Sequence, residues 1–336
     1  MSIPLFKPSI RRRDMQSVLS CLVTDVIGPA SLAQDLVAAA CGEFGQEGGL
    51  ALREYVRAIE LTAAALELSS GDRVLISPLA PSAYLTAFRH CGLEPVFADV
   101  REEDACMNPQ LAAEILSRGG IKAVFVHAPL GCVPDLGFLA DAGVPLVLDA
   151  GQSLGAADES GPLGKGADFL LLPMETDAIA TAGGGTLILA GNRSALSRLE
   201  EKADELSVDA FLPDLNASLG LVQWREFPQA LETRETIAEV FRNALLKGRH
   251  RTLASPESEE VRAVPYSFPV VLSSGMKEVI RYARKKGIET APAFNCASDE
   301  CPVARSLMMS VLLFPLYPTL GKKNVQHIAK VLSTLP

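Results

Sequence analysis

Short apolar runs alternating with amphipathic stretches set the reading of this chain. Val144–Leu148 stops on Asp149, Phe169–Leu172 feeds a polar loop, and Thr186–Ala190 follows three glycines. Runs of this length, bounded by Gly, Pro and Asp, mark strands buried on both faces. Upstream, the pattern predicts strands over Val74–Ser77, Glu94–Val100 and Ile121–His127. Between them fall helices over Ser82–Cys91, Asn108–Ser117, with Asn108 as N-cap, and Asp135–Ala142. Strands and helices in this order imply an α/β protein with a largely parallel sheet. Ligands of such sheets sit beyond the strand ends, which directs attention to Asp149 and the 174–185 loop.

The flanking regions are less regular. An extended opening arm leads into a helix with Met15, Val18, Leu19 and Leu22 at helical spacing. A turn at Ile27-Gly28-Pro29 precedes a helix that Ser31 is placed to cap and that Gly48-Gly49 breaks, followed by a helix over Arg57–Leu68. Beyond Ala190 come a charged helix over Ser194–Leu206 and a long helical pattern from Asn216 to Lys247, which Pro228 is expected to kink or interrupt. Strands over Val264–Leu272 and Val311–Leu316 accompany helices over Ser274–Lys286 and Lys323–Leu335. This looser order places a small C-terminal α+β domain at residues 209–336, after a large α/β domain at 1–208 that includes the arm. The acidic stretch Glu257–Glu260 reads as a solvated loop.

Composition narrows the partners. The chain has 336 residues, 48% of them hydrophobic and 21% charged, as in a globular protein. A net charge of −9 gives no electrostatic reason to expect nucleic acid or an anionic membrane. No apolar run approaches the roughly 20 residues of a membrane span, so a cytoplasmic location is expected. The seven cysteines are scattered without a Cys-x-x-Cys pair, and the four histidines do not cluster with them. Buried reduced thiols and no metal are the expectation.

Several segments in order resemble one family. Ile3-Pro4-Leu5, the Ile27-Gly28-Pro29 turn, Gly71-Asp72-Arg73-Val74 and Glu94 to Val100 resemble its opening and early sheet. Val126-His127 with Gly131 and Asp135, Leu148 to Ala156, Ala217 to Gln223 and Phe314 to Pro318 continue the match. The family is the DegT/DnrJ/StrS group of sugar aminotransferases, which use pyridoxal phosphate (PLP). The resemblance implies the PLP-dependent transferase (aspartate-aminotransferase-like) fold, a large domain with a mostly parallel sheet plus a smaller C-terminal α+β domain. It also implies a homodimer, with sites built across the subunit interface, and a nucleotide sugar as candidate ligand.

What the resemblance implies about residues is mixed. Asp149 matches the carboxylate that keeps the cofactor ring protonated, and Gln152 the residue beside the ring hydroxyl. Without the resemblance, Asp149 reads as a strand-end carboxylate capping a neighbouring turn. Counting back from Gly184-Gly185, the family's Schiff-base lysine falls at Asp177, or at Ala178 with a different gap. No lysine lies between Lys165 and Lys202. An aspartate forms no imine and repels an anionic cofactor. The family's phosphate-binding Ser-Gly-Thr falls near Glu54-Tyr55-Val56, where a glutamate opposes phosphate. Its partner-supplied Asn-x-Arg falls at Asp209 to Pro213, which holds neither Asn nor Arg.

Tyr84 sits near where the family stacks an aromatic on the ring, with core packing as the other reading. His127 is a candidate general base or a satisfied structural histidine. Gly183-Gly184-Gly185 reads as a tight turn more readily than as a phosphate loop. The expectation is therefore a sugar-aminotransferase relative without a covalent PLP anchor, non-catalytic or regulatory. The alternative is an enzyme using non-covalently held PLP or its amine form, pyridoxamine phosphate (PMP), on a keto-sugar. A plain aminotransferase recruiting Lys165 is a third, weaker reading.

Overall fold

The short apolar runs become strands of one central sheet. A computed structural model describes residues 2–12, 14–23, 26–139, 142–253, 261–273 and 275–336. In chain order its strands are β1 (Gly48–Leu52), β2 (Arg73–Ile76), β3 (Glu94–Phe97), β4 (Ile121–His127), β5 (Leu146–Asp149), β6 (Ala157–Asp158), β7 (Gly161–Pro162), β8 (Phe169–Pro173), β9 (Thr186–Ala190), β10 (Arg251–Thr252), β11 (Phe268–Val271), β12 (Ala291–Pro292) and β13 (Val311–Phe314). The helices are α1 (Asp14–Val23), α2 (Ser31–Phe44), α3 (Tyr55–Ala65), α4 (Ser82–Cys91), α5 (Pro109–Ser117), α6 (Arg193–Ala203), α7 (Asp214–Leu245), α8 (Met276–Lys285), α9 (Pro302–Ser310) and α10 (Gly321–Leu332). The acidic stretch Glu257–Glu260 lies outside the described residues.

The main sheet has the order β1-β9-β8-β5-β4-β2-β3. Neighbours from β8 through β5, β4 and β2 to β3 are parallel, while β9 runs antiparallel to both β8 and β1. Helices cover both faces. One core gathers Leu36, Val124, Leu148 and Leu170, and a second gathers Ile59, Phe88, Phe125 and Phe169 on the opposite face. Side chains alternate across a strand, so the adjacent residues Val124 and Phe125 enter different cores. Burial on both faces is why these strands read as continuous apolar runs.

A second, antiparallel sheet, β10-β11-β13-β12, packs with the end of α7 and with α8 and α10 around Phe241, Val270, Phe314 and Ile328. Ile3 joins that second core and bridges to Ile288, so the opening arm crosses to the C-terminal part of the chain.

Several local expectations are corrected. Gly48-Gly49 does not merely end a helix; it begins edge strand β1, where a Cβ on Gly49 would lie 2.2 Å from the Ile188 carbonyl oxygen. Ser31 does not cap α2. The buried Asp214 carboxylate, distant in sequence, accepts from the amides of Ala30, Leu32 and Ala33 at 3.0, 3.1 and 3.0 Å. A cap of this kind contributes about 1–2 kcal/mol, and here it also ties α2 to the start of α7. Pro228 does not interrupt α7, which runs as one 32-residue helix. Among the described residues of the expected Asp135–Ala142 helix, only a single turn at Gly137–Leu139 is helical. Asn108 does cap α5, accepting from Gln110 and Leu111.

On α1 the apolar stripe faces outward. Met15, Leu19, Leu22 and Val23 are exposed, whereas Asp14 and Cys21 are buried against the fold. No helix among the described residues is long and apolar enough to cross a membrane.

Candidate active site

The carboxyl ends of the central parallel strands open into one cleft of about 200 Å³. β4 ends on His127, β5 on Asp149 and β8 on Pro173, and all three line it. Tyr55 enters from the first turn of α3, and Tyr266 from the segment before β11. The 174–185 loop adds Glu175 and Asp177. This is the crevice in which α/β sheets bind ligands, beyond the strand ends.

Asp149 is the floor of the cleft and only 1% exposed. Its carboxylate accepts from the Tyr55 hydroxyl, from the Tyr84 hydroxyl at 3.0 Å and from the Gly151 amide at 2.9 Å. His127 Nδ1 lies 3.6 Å from Asp149 Oδ2 and has no hydrogen-bond partner. Burial alone would raise the Asp149 pKa, but the His127 imidazole, the Tyr55 hydroxyl and the Gly151 amide outweigh it and hold the carboxyl below its ordinary value. Burial and the Asp149 charge push both Tyr55 and Tyr84 upward, so the phenols stay protonated donors.

The loop side has the opposite character. Tyr266 donates to Asp177 Oδ2 at 2.7 Å, and burial with the Asp177 charge pushes the Tyr266 pKa up. Glu175 is raised by burial and then by the charge of Asp177, with only the Gly185 amide pulling the other way. Among the described residues, no lysine or arginine lines the cleft.

Deeper supports hold this geometry. Arg234 on α7 is buried and donates to the backbone oxygens of Pro265, Tyr266 and Leu316 at 3.3, 2.7 and 2.8 Å. Burial brings its pKa down to about 10, so it remains charged at neutral pH. Through these bonds it fixes the segment that presents Tyr266. Gly183, Gly184 and Gly185 have φ values of +75°, +136° and +101°, a left-handed run that suits glycine. The triplet is the turn the sequence implied, and it folds the loop back so that Met174 and Gly185 pair.

The sequence candidates separate cleanly. Asp149, Gln152, Tyr55, His127 and Asp177 line the same cleft. Gln152 Oε1 accepts from the Leu130 amide at 2.9 Å, which anchors the turn after β4. Glu54 is a correction: it is the extended N-cap residue of α3, is exposed to solvent and is not among the residues lining the cleft. Tyr84 is corrected in role. It is buried edge-on to Tyr55, Phe88 and Phe125 and reaches Asp149 from behind, so it does not stack on a ligand in the cleft. Lys165 is exposed and donates to the Ser160 carbonyl oxygen, away from the cleft, which removes it as a recruited site lysine. Tyr266 and Glu175 were missed. Glu175 carried a faint signal, two residues before Asp177 in a loop already singled out; Tyr266 carried none.

A profile of the DegT/DnrJ/EryC1/StrS aminotransferase family matches residues 8–333, and the chain belongs to that family. It is 24% identical over 306 residues, 82% of each chain, to the dTDP-4-amino-4,6-dideoxy-D-glucose transaminase of Escherichia coli. A sugar aminotransferase structure from Streptococcus pneumoniae in its PLP form superposes with TM-score 0.91 at 19% identity, covering 100% of this chain and 98% of that one. Helicobacter pylori PseC, an aminotransferase of pseudoaminic acid biosynthesis, superposes with TM-score 0.90 at 15% identity, covering 99% and 98%. At these identities the structural likeness carries the fold.

Proposed function

We propose that this chain is a sugar-aminotransferase relative that holds no covalently anchored PLP and acts as a binding or regulatory protein. The observation that supports this is Asp177: counting back from Gly184-Gly185 sets the family's Schiff-base lysine there, or at Ala178 with a different gap, and Asp177 lies in the cleft as a carboxylate that accepts from Tyr266. A carboxylate supplies no imine nitrogen and no amine to move a proton.

The residues around it do not fit PLP. A phosphate needs cations or free amides, and among the described residues this cleft is lined by three carboxylates and no lysine or arginine. The hydrogen bond that a pyridinium nitrogen would donate to Asp149 is already made by the Tyr55 hydroxyl. The cleft, at about 200 Å³, is also smaller than the roughly 300–1,000 Å³ usual for such ligands. No catalytic step is therefore assigned through the cofactor.

One observation favours the second reading, non-covalent PLP or PMP acting on a keto-sugar. Asp149 stays ionised, as a ring partner must, and Gln152 lies beside it. That reading requires Tyr55 to swing away from Asp149. A nucleotide sugar remains the candidate ligand suggested by the family, and a homodimer the candidate assembly, supported by the outward apolar face of α1.

The test is spectroscopic. Purified protein mixed with PLP, desalted and reduced with borohydride is expected to show no cofactor band and no modified lysine by peptide mass mapping. A retained band with an adduct on a lysine overturns the proposal. A retained band without an adduct favours the second reading.

A further inference from the structure

The buried charge at the floor of the cleft is answered by groups of the chain itself. Asp149 is almost wholly buried, and a carboxylate this deep needs donors on both oxygens. Its Oδ1 accepts from the Gly151 amide at 2.9 Å, within the turn that follows β5. Its Oδ2 accepts from the Tyr55 and Tyr84 hydroxyls, with the His127 ring 3.6 Å away. A carboxylate oxygen offers about two lone-pair sites, so both sites on Oδ2 are taken. A ligand N–H reaches that oxygen only by displacing a phenol.

The two phenols are not equivalent. Tyr84 lies within α4, is wholly buried and packs edge-on to Phe88 and Phe125 in the core behind the strands. Tyr55 is the first residue of α3, is only partly buried and lines the cleft. Its ring stands at 85° to Tyr84, with centroids 5.8 Å apart. The entry to α3 is fixed from outside the helix, because the Arg53 amide donates to the Ala210 carbonyl oxygen at 2.9 Å. Asp149 stays ionised and Tyr55 stays protonated, so the pair keeps its polarity at neutral pH.

We infer that Tyr55 is an internal occupant of this site: its phenol takes the position over Asp149 that a heteroaromatic cation would take, and it closes the floor of the cleft to such a ligand. The contact is self-inhibiting and non-covalent, so no bond is made or broken. It rests on the reading that no lysine-anchored cofactor fills the site, and it deepens that reading by naming the side chain that keeps the site closed. Truncating the ring leaves a cavity with an ionised carboxylate at its base. Such a cavity takes a flat cation that carries an N–H donor.

The experiment is a calorimetric titration of the full-length protein near pH 7 with 4-aminopyridine, a cation at that pH, and with aniline, a neutral molecule of similar shape. The parent chain and Y55F are expected to bind neither, because the ring fills the site in both. Y55A is expected to bind the cation at least roughly tenfold more tightly than Y55F does, and tighter than aniline by a similar factor, the order of one charge-assisted contact. Adding D149N to Y55A is expected to remove the preference for the cation. Y55V, a milder truncation, repeats the comparison if Y55A does not fold. Binding of the cation by the parent chain as tightly as by the truncated variant, or no binding by a folded truncated variant, overturns this inference and leaves the proposed function standing. Trapping of PLP on a lysine of the parent chain overturns both.

Discussion

Two carboxylates on the same cleft behave in opposite ways. Asp149 is almost wholly buried and is held below the ordinary aspartate pKa; Glu175 is only partly buried and is held above the ordinary glutamate value. Burial raises both, so burial does not decide the outcome. Donors do. Asp149 at the end of β5 receives two tyrosine hydroxyls and a backbone amide beside an imidazole, while Glu175 faces a second negative charge and a single opposing amide. The strand-end half of the cleft is built to keep a charge, and the loop half is short of positive partners.

The largest expected effect comes from breaking the strand-end half. D149A leaves the Tyr55 and Tyr84 hydroxyls buried without their acceptor, and a loss of about 3–5 kcal/mol in urea-unfolding free energy is expected. The pH dependence sharpens the same point. The native Asp149 pKa is lowered, so its stabilisation is present above the unfolded aspartate value and disappears as pH falls through the native one. Acid titration of D149A should therefore be flatter below about pH 4 than that of the parent chain. Equal acid sensitivity would mean that other carboxylates dominate.

Smaller is the effect of Y266F, which removes the 2.7 Å bond to Asp177. A loss of about 1 kcal/mol is expected by the same unfolding measurement, because the segment stays anchored by Arg234. The smallest effect has the opposite sign. E175Q relieves repulsion with Asp177 and should raise stability at neutral pH by a few tenths of a kcal/mol, discounted for solvent screening at a half-buried site. Since the native Glu175 pKa is raised, that gain should vanish once pH falls below the unfolded glutamate value. A stabilisation that persists in acid would assign the gain to something other than charge.

Much of the sheet was legible because each strand announces its own burial. β4 and β9 and helix α4 have the boundaries that their local pattern predicts, and Asn108 caps the helix its spacing assigns to it. Edge strand β1 was not legible, since its glycines read as a break and only the close approach to β9 explains them. The Met15–Leu22 stripe was found correctly but its direction was not, because periodicity places residues on one face without saying what that face meets.

For the candidate site, the sequence alone determined the local features. The absence of a lysine between Lys165 and Lys202, the turn at Gly183–Gly185 and the strand-end position of Asp149 are local facts. Tertiary structure decided what fills the space. Tyr55, Tyr84 and Tyr266 converge on Asp149 and Asp177 from three separate segments, and Arg234 sets the last of them from a helix outside the cleft. A hydrogen bond forms over about 3 Å whatever the distance along the chain. The separation of 89 positions between Asp177 and Tyr266 therefore leaves no local trace of their meeting.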